Sequence, residues 1–281
     1  MKNISRMIVV LVVALTAMSY AGVETWDGGH GSANAWYANL NWLDDTAPGD
    51  GDSLVFTGTT RLSHTSYGTD GDGDLQIVGI TFDAAAGSFV IANGGGGTIM
   101  LQGNITNESS NLQTINFPFQ LNGGNRTIDT ASGDITIGGV ISQDVGGRQL
   151  IVDGDGTLTL SAANTYSGTT RMGENGVSGD SATRTIRVEH DNALGTGGLA
   201  FERSGVLELG ADGLNVSTFL GVYNWSGGTR KIRLDEPGSI SAALSGNVWN
   251  QRTSVGTFVV EVETNDTLTM SGYFYKTGGG G

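Results

Sequence analysis

Apolar residues in this chain come in short runs that alternate with small polar ones, as in residues 98–101 (TIML), 157–160 (TLTL), 185–188 (TIRV), 206–209 (VLEL) and 267–270 (TLTM). A period of two with β-branched side chains is the pattern of a strand. The runs are closed by Gly, Asn or Asp, as at 93–97, 122–125 and 153–156, residues that take turn conformations at low steric cost. Outside residues 1–21 no window of a dozen residues carries a helical period. Glycine makes up 47 of 281 residues, more than twice the usual share of about 7%, whereas three prolines exclude collagen. Hydrophobic residues at 38% fill a core only if it is narrow.

Internal repetition points the same way. An apolar-x-Gly-x-apolar pattern recurs around Gly103, Gly139, Gly246 and Gly272, with a degenerate copy at Ala162. Several separations fall in the twenties, such as 26 between Gly246 and Gly272, while Gly103 and Gly139 are 36 apart. Spacings in the twenties match one coil of a β-solenoid with two or three short strands per coil. Coils of about 20–25 residues predict roughly 10–13 coils and a rod about 50–60 Å long. The alternative is an antiparallel sandwich or barrel, whose turns recur every 8–12 residues.

Residues 1–21 (MKNISRMIVVLVVALTAMSYA) combine Lys2 and Arg6, an apolar run from Met7 to Met18, and small residues at Ser19 and Ala21. The run is shorter than the roughly 20 residues that span a bilayer, so a cleaved secretory signal peptide is expected rather than a membrane anchor. No later stretch approaches transmembrane length. Residues 22–55 hold Trp26, Trp36 and Trp42, three of the five tryptophans. They are expected to form an aromatic cap over the first coil, which would otherwise show an unpaired edge; a sugar-stacking platform is the other reading. Residues 56–281 are then the solenoid.

The chain from Gly154 to Thr170 reads GDGTLTLSAANTYSGTT. It resembles the autotransporter-associated β-strand repeat, whose pattern is roughly GxGTLTLSGxNTYTGxT, with Ala162 where glycine is usual. The repeat residues are Gly154, Gly156, Leu158, Leu160, Asn164, Tyr166 and Gly168. Residues 187–197 (RVEHDNALGTG), the opening with Trp36, Trp42 and Phe56, residues 81–87 and residues 125–129 are also similar to proteins of this type. The resemblance implies a secreted, right-handed parallel β-helix of the autotransporter passenger kind. It carries no catalytic residues and no cofactor. It also implies that another repeat begins at residues 275–281 (YKTGGGG), leaving an open end prone to end-to-end self-association.

Chemistry is sparse. The chain holds 14 Lys+Arg against 28 Asp+Glu, a net charge of −14, which excludes the cationic footprint of a nucleic-acid binder. The absence of cysteine removes disulfides, thiolate catalysis and Cys-ligated zinc. Asp70, Asp72 and Asp74 alternate with glycine and are weak calcium candidates. Leu75 and Thr81 stand where an EF-hand needs Gly and Glu, so a solvated acidic turn is the preferred reading. His30, His64 and His190 share no metal-ligand spacing. Arg126, Asp129 and Asp134 are the residues that a polysaccharide-cleaving β-helix could use if coils brought them together. Trp225 and Trp249 could present aromatic faces to glycans, although lone surface aromatics are the commoner case in a solenoid. The expected function is a non-enzymatic adhesive passenger module at or shed from the cell surface, with surface glycans or other surface proteins as partners. The alternative is a carbohydrate-active β-helix enzyme or glycan-binding module. Inward side chains are expected at Ile135, Ile137, Leu158, Leu160, Leu268 and Met270, and outward ones at Thr136, Thr157, Thr159 and Thr269.

Overall fold

The structure, a computed structural model, describes residues 21–66, 74–95, 97–173, 182–224, 228–234, 241–252 and 257–277. Residues 1–20 of the expected leader, Asp70, Asp72, Trp225 and the glycines at 278–281 lie outside them. Among the described residues the strands are short and form sheets of fourteen, nine and three strands, and the one helical element is the 3-10 turn Asn39–Asn41. Every ladder between these strands is parallel. The chain winds from sheet to sheet, and strands pair with those one coil earlier or one coil later. That arrangement is a parallel β-solenoid, and the antiparallel sandwich is excluded.

Side-chain parity follows the alternation. Ile135, Ile137, Leu158 and Leu160 are fully buried in the bore, with Thr136, Thr157 and Thr159 half-exposed between them. Their neighbours in register continue the column as Ile186 and Val188, then Leu207 and Leu209, then Ile232 and Leu234. Each buried Leu or Ile contributes roughly 1.5–3 kcal/mol. Polar side chains also occupy inward positions, among them His64, Gln113, Arg184 and Arg230. Gln113, in register with Ile135, is fully buried and bonds Gly87 O, Asn111 O and the Phe89 N–H, all at 3.0 Å. Leu268 and Met270 point the expected way but are only partly buried.

The stack lies at the short end of what the spacing predicts. The nine-stranded sheet has nine levels, about 38 Å over eight steps of about 4.8 Å, and the longest ladder of the fourteen-stranded sheet has eleven, about 48 Å. Two features account for this. The first 50 or so residues go largely into the aromatic end, and coil length varies. Leu160 pairs with Val188 across 28 positions, and Val188 with Leu209 across 21. The recurring glycine pattern also marks two corners rather than one. Gly103, Gly246 and Gly272 lead into strands of the fourteen-stranded sheet after a different corner from the one at Gly139, which follows the nine-stranded sheet. The 36-residue gap between Gly103 and Gly139 is one three-strand coil plus two further strands.

At the amino-terminal end Trp26, Trp36 and Trp42 are fully buried, which removes the sugar-platform reading for them. Trp26 meets Trp42 edge-on at 5.3 Å, and Trp36 meets Phe117 edge-on at 5.4 Å. The strand Asp52–Phe56 pairs in parallel with both Val23–Trp26 and Leu75–Phe82, so the aromatic end is continuous with the sheet. Val23–Trp26 ends that ladder, and the indoles close the bore beneath it.

Candidate functional surface

The repeat residues are built into the rod. Gly154 has φ of +91°, and a Cβ there would stand 2.4 Å from the Thr130 carbonyl carbon of the coil before. A Cβ at Gly156 would come within 2.8 Å of Gly133 O, and Gly168 lies over Arg148 O, where a Cβ would come within 2.1 Å. Asn164 ties three coils together. Its Oδ1 accepts the Ile141 N–H at 2.8 Å, its Nδ2 donates to Ala193 O at 2.6 Å, and its own N–H donates to Asn192 O. Tyr166 is fully buried with its hydroxyl 2.5 Å from Thr170 Oγ1, and burial pushes its pKa up. Thr170 passes the chain of bonds on to Leu194 O at 3.1 Å. The motif is thus a set of inter-coil fasteners, and it presents no reactive group to solvent.

The acidic residues have the same occupation. An Asp or Asn at a corner between strands accepts a backbone N–H from the coil that follows. The pairs include Asp74 with Thr98, Asp134 with Thr157, Asp155 with Thr183, Asp191 with Asn215 and Asp212 with Ser241, at 2.7–3.0 Å. Asn104 and Asn125 do so for Thr127 and Gln149. A carboxylate accepting an N–H makes a charge-assisted bond. The Ser241 N–H is the largest influence holding the Asp212 carboxyl below its usual range. Asp74 therefore serves the backbone, while the other two calcium candidates fall outside the described residues. Among the described residues no three His, Cys, Asp or Glu side chains are grouped to hold a metal.

The outward face of the nine-stranded sheet is one continuous column in register. It runs Val90, Thr114, Thr136, Thr159, Arg187, Glu208, Arg233, Glu261. Three threonines give way to four charges of alternating sign. Glu208 is buried between its two arginines, 3.8 Å from Arg187 and ion-paired to Arg233. Lys231 reaches Glu261 diagonally at 2.7 Å. Sequence reasoning missed this column and the Asp/Asn fasteners. The available signal was an Asp or Asn at a corner, repeated at coil spacing.

The residues of the enzyme alternative are scattered. Arg126 spends its guanidinium on Leu101 O, Asn122 O and Asn125 O. Asp134 holds Thr157, and Asp129 stands in register with Asp153, whose partner is Arg184 at 2.5 Å. Burial, then the Asp153 charge, raises the Asp129 pKa, and Arg184 offsets part of that. The recesses between coils are shallow, the one beside Ser110, Ser132, Asp134 and Asp155 holding about 260 Å³. His30 and His190 accept nearby backbone N–H groups, and His64 is buried in the aromatic end. Trp249 stands in register with Gly221 and Tyr275. Among the described residues no helix is long and apolar enough to cross a membrane.

Fold and surface together define a repeat protein, a parallel β-solenoid whose coils are locked by side-chain-to-backbone bonds. Its residues 150–171 match the passenger-associated transport repeat family. The chain is 30% identical over 209 residues, 69% of its length, to the adhesin BmaC autotransporter of Brucella suis biovar 1 (strain 1330). It spans 5% of that relative's length. No solved structure matches it. The repeat match, the similarity to the adhesin and the solenoid mark the chain as an autotransporter-associated β-repeat protein, as the motif at residues 154–170 implies.

Proposed function

We propose that this chain is a non-enzymatic, adhesive segment of a bacterial surface passenger, exported by the leader at residues 1–21. The observation that carries the reading is the outward column from Thr114 to Glu261, a straight array of polar and charged side chains one coil apart. Such an array suits many weak contacts with a surface polymer or protein, where effective concentration multiplies modest affinities. Net charge of −14 disfavours anionic polymers and favours neutral glycans or basic protein patches. The test is binding of bead-coupled, multivalent chain to neutral and acidic glycans and to host-cell surfaces. The expected result is retention that falls when the chain is monovalent. Retention on none of these surfaces would sink the adhesive reading.

A second reading rests on Asp129, a carboxyl whose pKa is raised beside the carboxylate Asp153. That pairing is the kind an acid catalyst uses on a glycosidic bond. Cleavage of a polysaccharide that is lost in Asp129→Asn would establish it.

A further inference from the structure

His64 lies in the strand Ser63–Thr65, 2% exposed and in register with Ile91. Its ring stacks on Trp26 at 4.2 Å and on Phe56 at 5.3 Å. Phe89 meets it edge-on at 5.7 Å, and Trp36 lies 6.5 Å away. Nδ1 is 3.2 Å from Arg61 O. A carbonyl accepts, so Nδ1 carries the proton and Nε2 keeps its lone pair. Nε2 is buried with no hydrogen-bond partner among the described residues. The neutral ring fits this box. An imidazolium would add a buried N–H with no acceptor and a charge out of reach of water, a cost that the Trp26 and Phe56 faces offset only in part.

The charged groups on the surrounding elements are engaged elsewhere. Arg61 turns its guanidinium to Gly28 O, His30 O and Asn34 Oδ1. Asp27 accepts the Gly29 N–H, Asp83 the Ala85 N–H, and Asp52 the Gly22 and Gly49 N–H groups. Glu24, on the Trp26 strand, has its pKa raised by burial and by repulsion from Asp52 and Asp44. Its protonation therefore favours the closed end as pH falls, opposite in sign to that of His64.

We propose that His64 is an acid-sensitive latch whose protonation loosens the aromatic amino-terminal end from the first coils while the middle of the solenoid stays closed. Burial lowers the His64 pKa from 6.5 to about 4. An opened end takes up the proton below pH 6.5 and the closed end only below about 4. Closure therefore weakens as pH falls through that window. Each pH unit within it lowers the closed-to-open ratio about tenfold, to a total of about 300-fold.

The test is amide hydrogen exchange of the whole chain from pH 7 to pH 4, corrected for intrinsic rates. Three amides report on this end, those of Trp36, Leu43 and Thr65, which donate to Thr65 O, Thr25 O and Asn34 O. Their protection is expected to fall by up to about 300-fold, with that of residues 157–160 unchanged. The loss should vanish in His64→Phe and persist in His30→Gln and in Asp52→Asn. Protection that holds to pH 4 in the unmodified chain, or falls equally in His64→Phe, overturns the latch. So does a loss abolished by Asp52→Asn. The His64 ring resonances of the unmodified chain provide a readout independent of any variant, and titration at pH 6 or above overturns the proposal as well.

Discussion

The two ends of the solenoid obey the same alternation and reach opposite results. At the amino-terminal end Trp26, Trp36, Trp42, Phe56 and Phe89 interlock and all are fully buried. At the far end Thr267–Met270 repeats the TLTL pattern of Thr157–Leu160, in the three-stranded sheet rather than the nine-stranded one. Leu268 and Met270 nevertheless stay half-exposed, while Leu158 and Leu160 are sealed. Tyr273 is 71% exposed, and Val260 and Val262 are open to solvent. Among the described residues the strands Thr257–Glu261, Thr267–Met270 and Phe274–Thr277 each have a partner on one side only. Parity decides which way a side chain points in a solenoid. Burial needs a coil, or a substitute for one, on both sides, and the indoles act as that substitute at one end.

The sharpest way to break this comparison is to place a carboxylate at equivalent inward positions. Leu160→Asp should cost at least about 4 kcal/mol in urea unfolding, since the charge enters a dry bore. Met270→Asp should cost about 1 kcal/mol, because the site is wet. Equal losses would mean that the far end is sealed in solution, for instance by end-to-end association, which sedimentation would reveal directly. Next in size, Trp42→Ala should cost about 3–5 kcal/mol and Leu268→Ala about 1 kcal/mol. A small effect at Trp42 would demote the aromatic end from cap to ornament.

Hydrogen exchange compares the strands without mutation. Amides of residues 157–160 should exchange at least about 100-fold more slowly than those of residues 267–270, in line with the range of local opening energies in one protein. The smallest contrast concerns charge. Glu208→Gln removes the carboxylate buried between Arg187 and Arg233, and should cost about 1–3 kcal/mol with little salt dependence. Glu261→Gln, at the exposed end of the same column, should cost under about 1 kcal/mol, an effect that disappears in high salt. Salt sensitivity of both would show that the column is solvated throughout.

The strand pattern, the inward parity of Leu158 and Leu160 and the burial of the tryptophans were all legible from the chain. Each follows from local chemistry: alternation fixes a face, and an indole has too much apolar surface to leave in water beside an open bore. The repeat motif was legible as a pattern but not as a mechanism. Nothing local in Asn164 says that it binds Ile141, 23 positions back, and Ala193, 29 positions on. Arg126, Asp129 and Asp134 looked capable of meeting because their coil positions were unknown, and the register separates their roles. Asp134 read as a free acid, yet it is a backbone acceptor.

The sequence by itself determined that the chain is built of short strands turning at Gly, Asn and Asp, that its core is narrow, and that one coil takes about 20–25 residues. Those properties depend on side-chain size, β-branching and positive-φ tolerance, all local. The tertiary structure alone decided which residues stand one above another. Coils of 21 and 28 residues adjoin one another, so a fixed period cannot bring Thr159, Arg187 and Glu208 into line. The loops absorb the differences at the corners, and the parallel backbone ladder enforces the alignment. That alignment turns isolated charges into an alternating column and leaves the same TLT pattern dry in one coil and wet in another.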